Sequence, residues 1–139
     1  MIDTTIPLSA INAIGNNTLM QSLGIKITKL GEDFLEGTMP VDQRTIQPAG
    51  LLHGGASAAL IETLGSFGST LLIDREKSNI VGLEINANHV KGIKSGMVTG
   101  KASIIHFGRT THIWQVDIKD EQERLICTGR LTVLVVEKK

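Results

Sequence analysis

The chain of 139 residues has one cysteine and no excess of either charge sign. A lone thiol, Cys127, excludes an intrachain disulfide. It sits in an apolar, strand-like run and reads as core packing, because a free cysteine behaves mostly as a small hydrophobe. The 14 Lys plus Arg balance 14 Asp plus Glu. Without a basic field, nothing is present to hold nucleic acid or an anionic membrane surface. A net charge near zero is also compatible with self-association. His53, His89, His106 and His112 lack close ligand spacing, so no metal site is expected. The first residues, with Asp3 and Pro7, lack the basic-then-apolar pattern of a secretory signal, and a cytoplasmic protein is the expectation. The length suits one domain, residues 1–139, with a modest core. No repeat, linker or low-complexity segment interrupts it.

The stretch His53–Ile73 is helix-length and carries one charge, Glu62. Leu60, Leu64, Phe67 and Leu71 follow helical spacing and form an apolar stripe. Glu62, Ser66 and Ser69 are read as lying on another face, which carries Ala, Gly and Ser where a surface helix would carry Lys and Glu. A helix so poor in charge is expected to be buried on nearly all sides. Glu62 and four glycines argue against a membrane span. A carboxylate inside or at the mouth of a cavity is costly unless it is paired or serves a function, so Glu62 is the first candidate for chemistry.

Around this helix the pattern is one of strands. Residues 5–23 read as one or two short helices, and Ile25–Leu30 and Phe34–Val41 as strands joined at Gly31-Glu32-Asp33. Asp42–Leu52 is a loop with Pro48 and Gly50. In Ile80–Val90, residues Val81, Leu83, Ile85 and Ala87 alternate with Gly82, Glu84, Asn86 and Asn88. Met97–Ile105, Thr110–Lys119 and Arg124–Val136 follow, with short breaks suited to antiparallel connections. His112 and Trp114 share one strand face and are expected to pack or cap the sheet. The class is α+β: an antiparallel sheet of about six strands curling around one helix, with a partner subunit covering the helix's remaining surface.

Gln47, His53 and Glu62 cluster just before and within the helix. The first N–H groups of a helix lack internal partners and carry the positive end of its dipole. Glycine at 54 and 55 lets a ligand approach that backbone, where an oxyanion would be stabilised. His53 and Glu62 are nine residues apart, or roughly 13 Å along the axis. One chain does not easily bring both to one small reacting group; a dimer does. Taken singly, each signal also has a plain structural role. His-Gly-Gly makes a tight helix entry, Gln47 bonds loop backbone, Glu62 is tied down for packing, and Ser66 is an inert small residue.

Gln47-Pro48-Ala49-Gly50-Leu51-Leu52-His53-Gly54-Gly55-Ala56-Ser57 followed by Glu62 resembles the hotdog-fold acyl-CoA thioesterases. The resemblance is closest to the branch of phenylacetate-pathway, second-class 4-hydroxybenzoyl-CoA and 1,4-dihydroxy-2-naphthoyl-CoA thioesterases. Val81-Gly82-Leu83-Glu84-Ile85-Asn86-Ala87-Asn88-His89 and Gly108-Arg109-Thr110 look like the last of these, the menaquinone-pathway group, and its enterobactin-associated relatives. The resemblance implies an acyl-CoA thioester hydrolase with no cofactor, acting as a homodimer that assembles into a homotetramer. It makes Glu62 the nucleophile or the general base for water, and the Gly54 N–H the oxyanion donor. Gln47 and His53 orient the thioester carbonyl, and Ser66 helps place water or substrate. Gly82, the run His89, Val90, Lys91 and Gly92, and the run His106, Phe107, Gly108, Arg109, Thr110 and Thr111 fall near bound coenzyme A. Arg109 suits a phosphate or ribose, and equally a solvated turn.

The expected acyl group is aromatic, with 1,4-dihydroxy-2-naphthoyl or a similar hydroxyaryl group favoured. Ala49, where relatives often carry an aromatic residue, and Phe67, next to Ser66, bear on that preference. The alternative is a non-catalytic acyl-CoA binding or sensing module on the same fold. A hotdog dehydratase needs a His with an Asp or Glu on a spacing this chain does not show.

Overall fold

A computed structural model of the chain describes residues 1–139. Two short helices, α1 (Leu8–Ile14) and α2 (Leu19–Ser22), precede strands β1 (Lys26–Leu30) and β2 (Phe34–Val41). The long helix α3 (Gly54–Leu72) follows, then β3 (Ser78–His89), β4 (Gly96–Phe107), β5 (Thr111–Lys119) and β6 (Leu125–Glu137). The strands form one antiparallel sheet in the order β1-β2-β4-β5-β6-β3. No helix is long and apolar enough to cross a membrane.

Helix α3 begins where His53 leaves the helical region at φ −67° and ψ 130° and its Nδ1 accepts the Gly55 N–H at 2.7 Å. Leu60, Ile61 and Leu64 are fully buried against the sheet, with Leu35, Val98, Trp114 and Leu131 beneath them. The predicted stripe packs on the core along its length, fully buried in its first half and partly buried in its second. Phe67 and Leu71 are the partly buried pair, and Gly65, Gly68 and Ser69 join the sheet contact. A Cβ on Gly68 would stand 2.5 Å from the Trp114 ring, so the absent side chain is what lets the indole lie under the helix. Ser69, expected on the face of Glu62, is fully buried on the sheet side instead. Its Oγ accepts the Trp114 Nε1–H at 2.8 Å and bonds His112 Nδ1 at 3.0 Å. His112 and Trp114 thus pack under the helix rather than cap the sheet.

The two edges of the sheet differ. On the β1 edge, the Asn12 side chain of α1 accepts the Ile27 N–H at 2.8 Å and donates to the Ile27 carbonyl at 2.9 Å, occupying the strand's outward hydrogen-bonding pair. The β3 edge is twelve residues long, and Val81, Leu83 and Ile85 are 51%, 63% and 37% exposed. The simple alternation expected for β3 is broken by a bulge between Gly82 and Glu84. Gly82 pairs with buried Val133, and Ile85 with buried Leu131, so both face α3 although they are three residues apart.

His112 is 1% exposed. Burial pushes its pKa below the ordinary value of 6.5; a backbone contact with Gly108 opposes the shift and the nearby His106 adds to it. Below 6.5 the unfolded chain therefore binds this proton more readily than the folded one. The neutral ring contributes stability that is complete above 6.5 and is lost as pH falls through the folded-state value. Urea denaturation across pH 5 to 8 is expected to show stability rising with pH in the wild type, with a shallower rise in His112→Asn.

Candidate active site

The loop before α3 is pinned at several points. Thr45 Oγ1 donates to the Pro40 carbonyl at 2.7 Å, the His53 N–H donates to the Thr45 carbonyl at 2.8 Å, and the Leu52 N–H to the Ile93 carbonyl at 2.8 Å. Within it, Gln47–Gly50 makes a turn closed by the Gly50 N–H on the Gln47 carbonyl at 2.8 Å, with Gly50 at φ +83°. The Gln47 side-chain oxygen accepts the Ala49 N–H. Gln47 and His53 therefore both fill the plain structural roles their types allow. Each keeps a donor in reserve: Gln47 its amide NH2, and His53 its Nε2–H, because the cap bond occupies Nδ1 as an acceptor.

The start of α3 distributes its N–H groups unevenly. Gly55 donates to His53 Nδ1, and Ala56 and Ser57 donate to the His53 carbonyl at 3.0 and 3.2 Å. Gly54 is left as the first-turn donor without a partner in the chain. Gly54 lines a pocket of about 250 Å³ that also takes Gln47 from the loop, His89 at the end of β3 and Val90, Lys91 and Gly92 just beyond it. That run is held in place by the Val90 and Lys91 N–H groups on the Ile126 carbonyl at 2.8 and 3.2 Å. The His89 ring lies over the helix entry, with its Nε2 at 2.7 Å from where a Gly54 Cβ would be. Leu51 and Ile126, which sequence reasoning did not select, supply apolar wall. No local pattern marks them, since they meet only through the fold.

Glu62 lies eight residues further along α3, about 12 Å from Gly54 along the axis. It is half-buried and is the sole charged residue of the helix. The ion pairs of the chain, Arg44–Asp42, Lys77–Asp74 and Arg124–Asp120, lie elsewhere. A Cβ on Gly82 would stand 2.5 Å from Glu62 Oε1, so the carboxylate reaches β3 where that strand has no side chain. Ser66, one turn on, is half-buried on the same side of the helix.

The run from His106 to Thr111 forms the β4–β5 turn, closed by the Gly108 N–H on the Thr111 carbonyl at 2.9 Å. Arg109 and Thr110 are exposed at its tip. Thr111 pairs with Leu134, and Leu134 with Val81, so the turn lies at the opposite end of β3 from His89. The selected residues thus fall into three groups along α3 and β3. One holds Gln47, His53, Gly54 and His89–Gly92; the next holds Glu62, Ser66 and Gly82; the third is the turn His106–Thr111.

The family model described as the thioesterase superfamily matches residues 49–127. The chain is 47% identical over 131 residues to a 1,4-dihydroxy-2-naphthoyl-CoA hydrolase of Escherichia coli, covering 94% of this chain and 96% of that protein. It is 50% identical over 129 residues to the proofreading thioesterase EntH of Cronobacter turicensis, covering 93% of each. Among solved structures, a thioesterase from Haemophilus influenzae superposes with a TM-score of 0.93 at 45% identity, covering 98% of this chain and 94% of the other. A mutant thioesterase from Pseudomonas aeruginosa superposes with a TM-score of 0.96 at 44% identity, covering 99% of each chain. By sequence and by fold alike, this chain is a hotdog-fold member of the thioesterase superfamily.

Proposed function

We propose that the chain hydrolyses aromatic acyl-CoA thioesters, with Glu62 as the reacting carboxylate and the Gly54 N–H as oxyanion donor. The observation that carries this reading is Glu62 itself, the one charge on α3, half-buried where β3 lacks a side chain. As nucleophile, its carboxylate oxygen attacks the thioester carbonyl carbon, coenzyme A leaves as thiolate, and water cleaves the resulting anhydride. As general base, it takes a proton from the water that attacks instead. Either route places negative charge on the carbonyl oxygen, where an unpaired helix N-terminal N–H stabilises it. Gln47 and His53 turn their reserved donors to the same oxygen.

The acyl assignment draws on two supports. The E. coli relative is named for a 1,4-dihydroxy-2-naphthoyl thioester, the acyl group favoured above. Around Glu62 the helix offers Ala58, Ala59 and Ser66, small half-buried residues that leave room for a flat ring, whereas Gly65 is buried over Leu131. A long alkyl chain would need a deep apolar tunnel.

Because Glu62 and Gly54 of one chain are about 12 Å apart, the site is completed by a second copy. The β3 edge is where that copy adds. It is long, apolar and unpaired, whereas Asn12 occupies the β1 edge. Antiparallel pairing of two β3 strands sets each Glu62 toward the other chain's helix entry. It also sets each Arg109 turn toward the other chain's His89–Gly92 run. Two such dimers then make the tetramer.

Glu62→Gln is expected to lower turnover by about 10²–10⁴-fold while circular dichroism and coenzyme A binding persist. Near-normal turnover would overturn the assignment, and binding without turnover in the wild type would favour the sensing module. Across benzoyl-, naphthoyl- and palmitoyl-CoA with a thiol trap, the aryl thioesters should have the higher kcat/KM. A palmitoyl-CoA preference above about tenfold would remove the aryl assignment.

Light scattering should give a multiple of the 14.9 kDa chain mass. Val81→Lys on the β3 edge should shift it toward monomer with activity lost; an active wild-type monomer would refute the shared site.

A further inference from the structure

The Ser69–His112–Trp114 cluster lies behind the turn that carries Arg109, and the proposed chemistry does not use it. We propose that Ser69 and His112 are positioning residues for the coenzyme A portion of the substrate, because their hydrogen bond fixes the Phe107–Thr111 turn against α3. This inference rests on the acyl-CoA thioesterase reading and on the turn being a coenzyme A contact.

Ser69 and His112 are 0% and 1% exposed, and Trp114 is fully buried. The indole N–H is only a donor, so Ser69 Oγ accepts it at 2.8 Å. The same oxygen bonds His112 Nδ1 at 3.0 Å, tying the first residues of β5 to the last third of α3. The other side of the imidazole meets the turn. Its ring packs on Phe107 with centroids 4.9 Å apart and planes at 52°. That contact exists because β4 is bulged between Ile104 and His106, which sets Phe107 opposite His112. The turn is closed from within by the Gly108 N–H on the Thr111 carbonyl, and it is held to β6 by the Val135 N–H on the Thr110 carbonyl at 2.8 Å.

Apolar residues of matching shape would serve packing alone as well as a buried polar group does. What a fully satisfied polar cluster adds is one fixed arrangement. The element fixed here is the base of the hairpin whose tip presents Arg109. A guanidinium recognises phosphate through directed, paired hydrogen bonds, and these fail when its backbone is displaced.

The test uses two thioesters of one acyl group, one on coenzyme A and one on N-acetylcysteamine, which keeps the reacting end and lacks the nucleotide. In the full-length protein, Ser69→Ala and His112→Leu should raise KM for the coenzyme A thioester about tenfold or more while kcat stays within about twofold. Kinetics on the N-acetylcysteamine thioester should be unchanged. His112→Asn, which keeps a polar group for Ser69, should recover most of the lost affinity. If Ser69→Ala does not fold, the two His112 variants carry the comparison. Equal losses on both thioesters, or no loss on either, would overturn the inference while leaving the hydrolase reading intact. A wild type that cleaves neither thioester would overturn the hydrolase reading, and this inference with it.

Discussion

Helix α3 approaches the sheet closely because at several contacts one of the two facing residues is a glycine. Gly65 lies over Leu131 and Gly68 over Trp114, while Gly37 and Gly100 of the sheet receive Leu64. Each of these four positions would place a Cβ within 2.7 Å of the facing side chain. Interiors packed at crystal-like density tolerate such additions poorly. The close approach turns Leu60, Ile61 and Leu64 fully inward and leaves Ala59, Glu62 and Ser66 on the half-covered shoulder beside β3. The proposed chemistry depends on this rotation. A helix standing further off would free Trp114 and Ser69 from each other and blur which face looks at β3.

The second constraint is the parity of the strands. A strand presents alternate residues to each face, and a bulge exchanges the faces beyond it. In β3 the bulge after Gly82 lets Gly82 face Glu62 while Ile85, Ala87 and His89 still face the helix. Without it, either His89 would leave the helix entry or Gly82 would leave Glu62. The bulge in β4 performs the same service for Phe107 and His112. Two single-residue irregularities thus join both ends of α3 to strand residues of the right type.

These irregularities mark the boundary of what the sequence reveals. The element order, the antiparallel sheet and the helix were legible because hydrophobic period and turn residues are local signals. The run from Gln47 to Glu62 was legible because its loop, cap and helix are contiguous. Ser69 is misread because it stands seven residues beyond Glu62, nearly two full turns and so almost the same heading, yet meets Trp114 and His112 of β5 there, and Gly68 gives no hydrophobic signal to mark the contact. Alternation through Val81, Leu83, Ile85 and Ala87 looked regular because a bulge inserts a residue without changing its type. Leu51 and Ile126 are unreadable as pocket wall, since the loop before α3 and strand β6, far apart in sequence, meet only in the fold.

The helix entry shows how capping and chemistry divide the same donors. A helix start offers N–H groups that must find partners. Here His53 takes three of them, one on its ring and two on its carbonyl. The cap thereby stabilises α3 and singles out Gly54 as the donor that remains. It also fixes the His53 ring with its acceptor nitrogen occupied, so the outward nitrogen carries the proton. An aspartate cap would satisfy the helix equally well and, being acceptor-only, would present no donor beside Gly54. A histidine at this cap therefore gives the proposed reaction a donor that an aspartate cap would not, while doing the same for the helix. The cap cannot bring Glu62 nearer, since the rise of the helix is fixed. That distance is the physical reason to place the proposed site between two chains, across the one sheet edge whose hydrogen-bonding groups α1 leaves free.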